Sequence, residues 1–172
     1  MATSRGKGRR TPAWQQVARC ILCTAGLALS AYALYVETAK ERNSDYKAMC
    51  DVSKTISCSK VFTSKYGRGF GLIEPLFGRD CILNLPNSVF GLIFYVLQFF
   101  LGQSSNPTAS LVLVIFSLLS NLATVYLAYI LYFILNDACL VCISTYVVNA
   151  ALLILNLRHH SAISQGVIKK KV

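Results

Sequence analysis

Four long apolar runs, at roughly Val17–Val36, Ser88–Gly102, Ala109–Leu135 and Cys139–Leu157, constrain this chain more than anything else in it. A helix rising about 1.5 Å per residue needs about 20 apolar residues to cross a bilayer core. The first and last runs meet that length, and the third is long enough to cross with tilt. Ser88–Gly102 is shorter, but the mostly apolar Ile82–Pro86 precedes it. A helical bundle in water would need a polar coat. With 55% hydrophobic and 14% charged side chains in 172 residues, too few charges remain to supply one. The expected fold is all-α, an integral membrane four-helix bundle forming a single domain over residues 1–172. Its spans fall at roughly 17–36, 86–102, 109–135 and 139–157.

The formal charge of +10 would suit a nucleic-acid binder if it were spread over a folded face. It is not. Arg5, Lys7, Arg9, Arg10 and Arg19 lie at the start, and Arg158, Lys169, Lys170 and Lys171 at the end, with no acidic residue at either end. The segment Glu37–Pro86 mixes eight basic with six acidic residues. Basic ends flanking an even number of spans place both tails, 1–16 and 158–172, in the cytosol, and the long loop 37–85 on the lumenal side. No nucleic-acid partner is expected; membrane lipid is. The stretch ending Ala31-Tyr32-Ala33 resembles a signal peptide, but its apolar run exceeds the usual ~7–15 residues, so it reads as a retained first helix. Lys169-Lys170-Lys171-Val172 matches a dilysine retrieval signal, which points to the endoplasmic reticulum membrane.

The links near Gln103–Thr108 and Asn136-Asp137-Ala138 are short, so spans two to four are expected to be antiparallel neighbours. The long loop is the exception, and such loops are commonly lids or binding loops. Within it, Cys50–Val61 can hold a helical turn or two, and Gly67-Arg68-Gly69-Phe70-Gly71 is a flexible break. Leu72–Phe77 is apolar but too short to cross. It fits a segment that dips into the membrane interface, covers a pocket or merely pins the loop.

Seven cysteines fall into distinct settings. Cys20 and Cys23 lie beside Arg19 near the reducing cytosolic face, and read as small packing residues. Cys139 and Cys142 form a C-x-x-C at the mouth of the last span, with Asn136 or Asp137 as the natural N-cap. Free N–H groups and the positive end of the helix dipole favour a thiolate there, while Asp137 opposes it. A short, strained C-x-x-C disulfide is more often labile and catalytic than structural. Cys50 and Cys58 can bridge one another or alternate with the span-four pair. Cys81 has no assigned role. Four thiolates can in principle hold zinc, but both histidines lie in the C-terminal tail and the C-x7-C spacing suits it poorly, so no metal is expected.

Polar residues inside spans mark function more often than packing. Cys142, Tyr146 and Asn149 repeat at i, i+4 and i+7 and so share one helix face. Asn87 opens span two on the same side of the bilayer, and Phe62, Phe90, Phe94 and Phe133 can supply flat apolar walls. Such a pocket suits a planar, lipid-soluble molecule with ring oxygens, a quinone. Ser117, Asn121 and Thr124 read as interhelical glue.

The stretches Cys50-Asp51-Val52 to Ile56-Ser57-Cys58-Ser59, Tyr66–Leu72, Asn87-Ser88-Val89-Phe90-Gly91 and Cys139–Tyr146 resemble the vitamin K epoxide reductase family over about Cys20–Leu157. The resemblance implies a thiol-dependent enzyme of the endoplasmic reticulum that reduces vitamin K 2,3-epoxide to quinone and quinone to hydroquinone. It implies no tightly bound cofactor beyond redox-active disulfides. Cys142 would attack the substrate and Cys139 resolve the adduct. Cys58 would exchange with Cys139, and Cys50 would receive electrons from a lumenal thioredoxin-like oxidoreductase. Asn87 and Tyr146 would hydrogen-bond the ring oxygens, Phe62 and Phe90 would pack the ring, and coumarin-type inhibitors would occupy the same pocket. Tyr66, Cys81 and Leu85 depart from the family pattern. Two other readings use the same residues: a quinone-dependent thiol oxidase that makes disulfides in lumenal partners, and a non-enzymatic four-span scaffold.

Overall fold

The structure is a computed structural model that describes residues 12–53, 55–78, 81–82, 84–104 and 106–171, with the backbone alone for 166–171. The basic residues Arg5 to Arg10 and the dilysine side chains lie outside what is described. Among the described residues there is no β-strand, only isolated bridges.

Helix boundaries follow local chemistry. The first helix, α1, runs Ala13–Arg42 and begins after Pro12. It outruns its apolar segment because Glu37–Arg42 contains no breaker, and it stops where Asn43 turns extended. Two single-turn helices follow in the loop, α2 (Cys58–Phe62) and α3 (Ile73–Phe77), separated by a 3-10 turn at Gly69–Gly71. Helix α4 (Asn87–Leu101) starts directly after Pro86. Helix α5 (Pro107–Tyr129) has Pro107 in its first turn, and the Asn106 side chain accepts the Thr108 amide at 3.0 Å. It continues into a π turn over Ile130–Ile134. Helix α6 (Leu140–Lys171) continues well past its apolar half.

The bundle is inside-out relative to a soluble one. Gln98, Ser110, Ser117 and Asn156 are completely buried, while Leu118, Leu122 and Val125 of α5 are more than half exposed. An apolar coat around a polar seam needs lipid as its solvent. Three helices, Ala13–Arg42, Pro107–Ile134 and Leu140–Gln165, are long and apolar enough to cross a membrane, and α4 is a shorter apolar helix. Helix α1 packs against α4 and α6, and α6 packs against α5, while α4 and α5 touch sparsely. The α1–α4 contact is close because glycine stands at each crossing. A Cβ on Gly26 would lie 2.3 Å from the Tyr95 ring, and one on Gly91 would lie 2.6 Å from the Ser30 hydroxyl. Polar side chains tie the helices together: Tyr95 donates to Asn149 (2.8 Å), Gln98 to Ser117 (2.9 Å) and Asn156 to Gln98 (2.8 Å). Asn121 donates to the Asn149 carbonyl, and Asn149 to the Thr124 hydroxyl.

Candidate functional site

Cys50 and Cys58 are joined by a disulfide, with Cα atoms 5.8 Å apart. The segment between them folds around Asp51. One carboxylate oxygen accepts the Ser57 hydroxyl and Ser59 amide, both at 3.0 Å; the other accepts the Ala48 amide at 2.8 Å and the Ser59 hydroxyl at 2.6 Å. Burial alone would raise this carboxyl, but these four donors outweigh it and hold the pKa down at about 2. The C-terminal half of α1 braces the same segment: Tyr32 accepts the Met49 amide, and Lys40 donates to the Tyr46 carbonyl.

The second pair is free and sits where α5 turns into α6. The turn passes through Asn136 in the left-handed region (φ 49°), a conformation asparagine tolerates better than most residues. Neither Asn136 nor Asp137 caps α6, contrary to the sequence expectation. Cys139 stands just before Leu140, and its sulfur accepts the Cys142 amide at 3.4 Å, taking the capping position itself. Asp137 is drawn elsewhere, to the Lys60 ammonium at 2.5 Å.

A short parallel pairing brings the two pairs together. Ser57 N–H donates to the Ala138 carbonyl (3.0 Å), and Ala138 N–H to the Thr55 carbonyl (2.8 Å). Cys50, Cys58 and Cys139 consequently belong to one buried cluster, against which Cys142, Tyr146 and Phe62 pack. Cys58 and Cys139 are completely buried.

Beneath this cluster lies a cavity of about 490 Å³, mostly apolar, between α1, α4, α5 and α6 and under the loop. Cys142, Tyr146 and Asn149 line it from α6, as their shared face requires. Phe62 reaches it from α2, and Asn87, Phe90 and Phe94 from α4. Phe133 does not. It lies 63% exposed against Tyr129 and Tyr132, because the π turn carrying it shifts the helix out of its regular phase. Helix α3 has no buried residue and does not line the cavity either; Leu76 and Phe77 point outward.

Among the lining residues that the sequence reading did not assign to the cavity, three have contacts that shape the site. Phe70 stacks on Phe90 with ring centroids 5.5 Å apart, at a positive φ of 57° that a lone phenylalanine does not advertise. Tyr66 lines the same wall. Among the described residues Glu37 is the sole acidic one that lines the cavity; it is buried and takes a 3.1 Å hydrogen bond from Arg68. Asn87 is also more than a ligand candidate: its Oδ1 accepts the Phe70 amide (2.9 Å), and its Nδ2 donates to the Tyr66 carbonyl (2.7 Å). It fastens the loop turn over the cavity. Cys81 is a free thiol away from this cavity, and Cys23 packs with Tyr95, Val148 and Leu152. Among the described residues, no group of three or more histidine, cysteine or acidic side chains converges as a metal site.

The arrangement can do one kind of chemistry readily. A free dithiol opens onto a water-poor cavity beside a phenol, with a second, disulfide-bonded pair directly above it, so two-electron transfer between a guest and the thiols is within reach. Comparison with known proteins gives the same direction. The vitamin K epoxide reductase family pattern matches residues 17–157. The rat protein called vitamin K epoxide reductase complex subunit 1 (Rattus norvegicus) is 54% identical over 138 residues, 80% of this chain and 86% of the relative. Its mouse counterpart (Mus musculus) is 53% identical over the same shares.

Proposed function

This chain belongs to the vitamin K epoxide reductase family, and from that premise we propose that it reduces vitamin K 2,3-epoxide to the quinone, and the quinone to hydroquinone, at the Cys139–Cys142 dithiol. The observation that carries the reading is the position of Cys142, at the roof of the cavity with Tyr146 one turn deeper on the same face. The Cys142 thiolate attacks an epoxide carbon, and the opened oxygen takes a proton. Cys139 then attacks the Cys142 sulfur. The carbon–sulfur electron pair returns to the ring, the former epoxide oxygen leaves as water, and a Cys139–Cys142 disulfide remains. Epoxide and two thiols thus become quinone, water and one disulfide. Quinone reduction repeats the two-electron step.

Tyr146 and Asn87 hold the ring oxygens while Phe62 and Phe90 pack its faces, and coumarin-type inhibitors compete for the same space. Loop thiols reset the helix pair, Cys58 exchanging with Cys139, and Cys50 taking electrons from a lumenal thioredoxin-like oxidoreductase. No tightly bound cofactor takes part. This chemistry belongs with a single four-span domain in the endoplasmic reticulum membrane. Helix α4 is the second span, segment 37–85 is lumenal, α3 rests in the membrane interface and both tails are cytosolic. The exposed apolar coat, the apolar α4 and the basic tails support that topology.

The test is epoxide turnover with a dithiol in membranes carrying the full chain. Cys142→Ser should abolish it. Undiminished reduction in that variant would refute the assignment, and turnover confined to quinone-driven oxidation of partner thiols would favour an oxidase.

A further inference from the structure

The relay just proposed requires negative charge to pass between Cys58 and Cys139, and a buried carboxyl stands two residues from one partner in that exchange. Asp137 lies two residues before Cys139 and is 6% exposed. No hydrogen bond from the described residues reaches its Oδ2; what meets that oxygen is the ammonium of Lys60, at 2.5 Å. Lys60 in turn lies two residues after Cys58, on the same single-turn helix, with its side chain 61% exposed. The nearby Asp51 carboxylate is already engaged by its four donors.

We propose that Lys60 is a positioning residue for disulfide exchange between Cys58 and Cys139, acting by neutralising Asp137. The inference rests on the relay reading above. The alternative, a simple fastener, is weakened by the pairing of Ser57 and Thr55 with Ala138, which already sets the register of the two segments without Lys60. What that backbone pairing cannot provide is charge. In the first step a Cys58 thiolate attacks the Cys139 sulfur of the Cys139–Cys142 disulfide. A Cys58–Cys139 bond forms, and Cys142 leaves as a thiolate and takes a proton. In the second, a Cys50 thiolate attacks the Cys58 sulfur, restoring the Cys50–Cys58 bond and releasing Cys139 as a thiolate, which is protonated. Two electrons pass from the loop pair to the helix pair, and the two protons lost by the loop thiols match the two gained at the helix. Each step passes an anion between sulfurs that lie two residues from Lys60 and two from Asp137, and an uncompensated buried carboxylate would repel it.

The experiment uses the full chain in membranes with Cys50→Ser, which stops the relay at the Cys58–Cys139 bond. The helix pair is first oxidised with a small disulfide-forming reagent, and the appearance of the Cys58–Cys139 bond is followed by non-reducing mass mapping. Adding Lys60→Gln should slow it about ten-fold, equivalent to about 1.4 kcal/mol, while Lys60→Arg should stay within about two-fold. Removing both charges, with Lys60→Gln and Asp137→Asn together, should restore the rate to within about two-fold. A fastener would leave that double variant as slow as Lys60→Gln, which would overturn the proposal, as would an unchanged rate in Lys60→Gln alone. If no Cys58–Cys139 bond forms with Lys60 intact, the relay reading itself has failed and this proposal falls with it.

Discussion

Asp51→Asn removes the charge that organises the loop disulfide while keeping the side chain's shape. The native carboxylate accepts four hydrogen bonds, including the Ala48 and Ser59 amides that flank Cys50 and Cys58. An amide cannot accept at both ends, so at least one of those donors loses its partner. The fall of the carboxyl from its ordinary 3.8 to about 2 corresponds to about 2.5 kcal/mol before solvent screening. Asp51 is partly open to solvent, and screening reduces the working figure to about 1–1.5 kcal/mol. Local opening of the loop should therefore become about ten-fold more frequent. The readouts are the rate at which a water-soluble dithiol reduces Cys50–Cys58, and hydrogen exchange at the Ala48 and Ser59 amides. The pH dependence has a fixed sign. A carboxyl whose folded pKa is depressed contributes in full above about 3.8, and its contribution disappears as pH falls through about 2. The variant and the parent should differ at neutral pH and exchange alike below pH 2 or so. Equal reduction rates at neutral pH, or a difference that survives at the lowest pH, would refute the clamp.

Gly26→Ala places a methyl against a Tyr95 ring whose hydroxyl is already tied to Asn149, so the ring cannot swing clear cheaply. Overpacking of about 1–3 kcal/mol should lower the thermal midpoint by several degrees in detergent, and an unchanged midpoint would mean that α1 and α4 are not so closely apposed. Asn87→Ala frees both the Tyr66 carbonyl and the Phe70 amide, each tied by a bond worth about 1 kcal/mol. Steady-state kinetics should show KM for the epoxide rising by about five-fold or more, with kcat falling less; a pure kcat effect would mean that Asn87 does not hold the loop over the cavity.

Much of this architecture is written locally. Asn106-Pro107 starts α5 and the i, i+4, i+7 placement of Cys142, Tyr146 and Asn149 puts all three on the cavity, because capping and helical phase act over a few residues. Regular phase is lost where the helix changes pitch, so Phe133, beyond Tyr129, faces away from the cavity that its residue type suggested it would line. Local rules also fail where one of them has two claimants. Asp137 is a good N-cap by type, yet a lysine 77 positions earlier in the chain claims it, and a cysteine sulfur takes the vacated role. Phe70 and Tyr66 reach the site through a loop whose course depends on the Asn87 amide and on the contact between Arg68 and Glu37 of α1. Those are pairings across 17 to 31 residues, and no short-range pattern encodes them.

The sparse contact between α4 and α5 has a consequence for the shape of a guest. In cross-section the four helices make a C rather than a ring, and residues of both its tips, among them Leu97 and Phe116, belong to the cavity wall. The Gln98–Ser117 bond joins the tips at one level, so a flat headgroup entering from the side would pass where they are not joined and leave an aliphatic tail among the acyl chains. Under such an entry the length of that tail would bear on partition into the bilayer more than on the fit of the head against the lining residues.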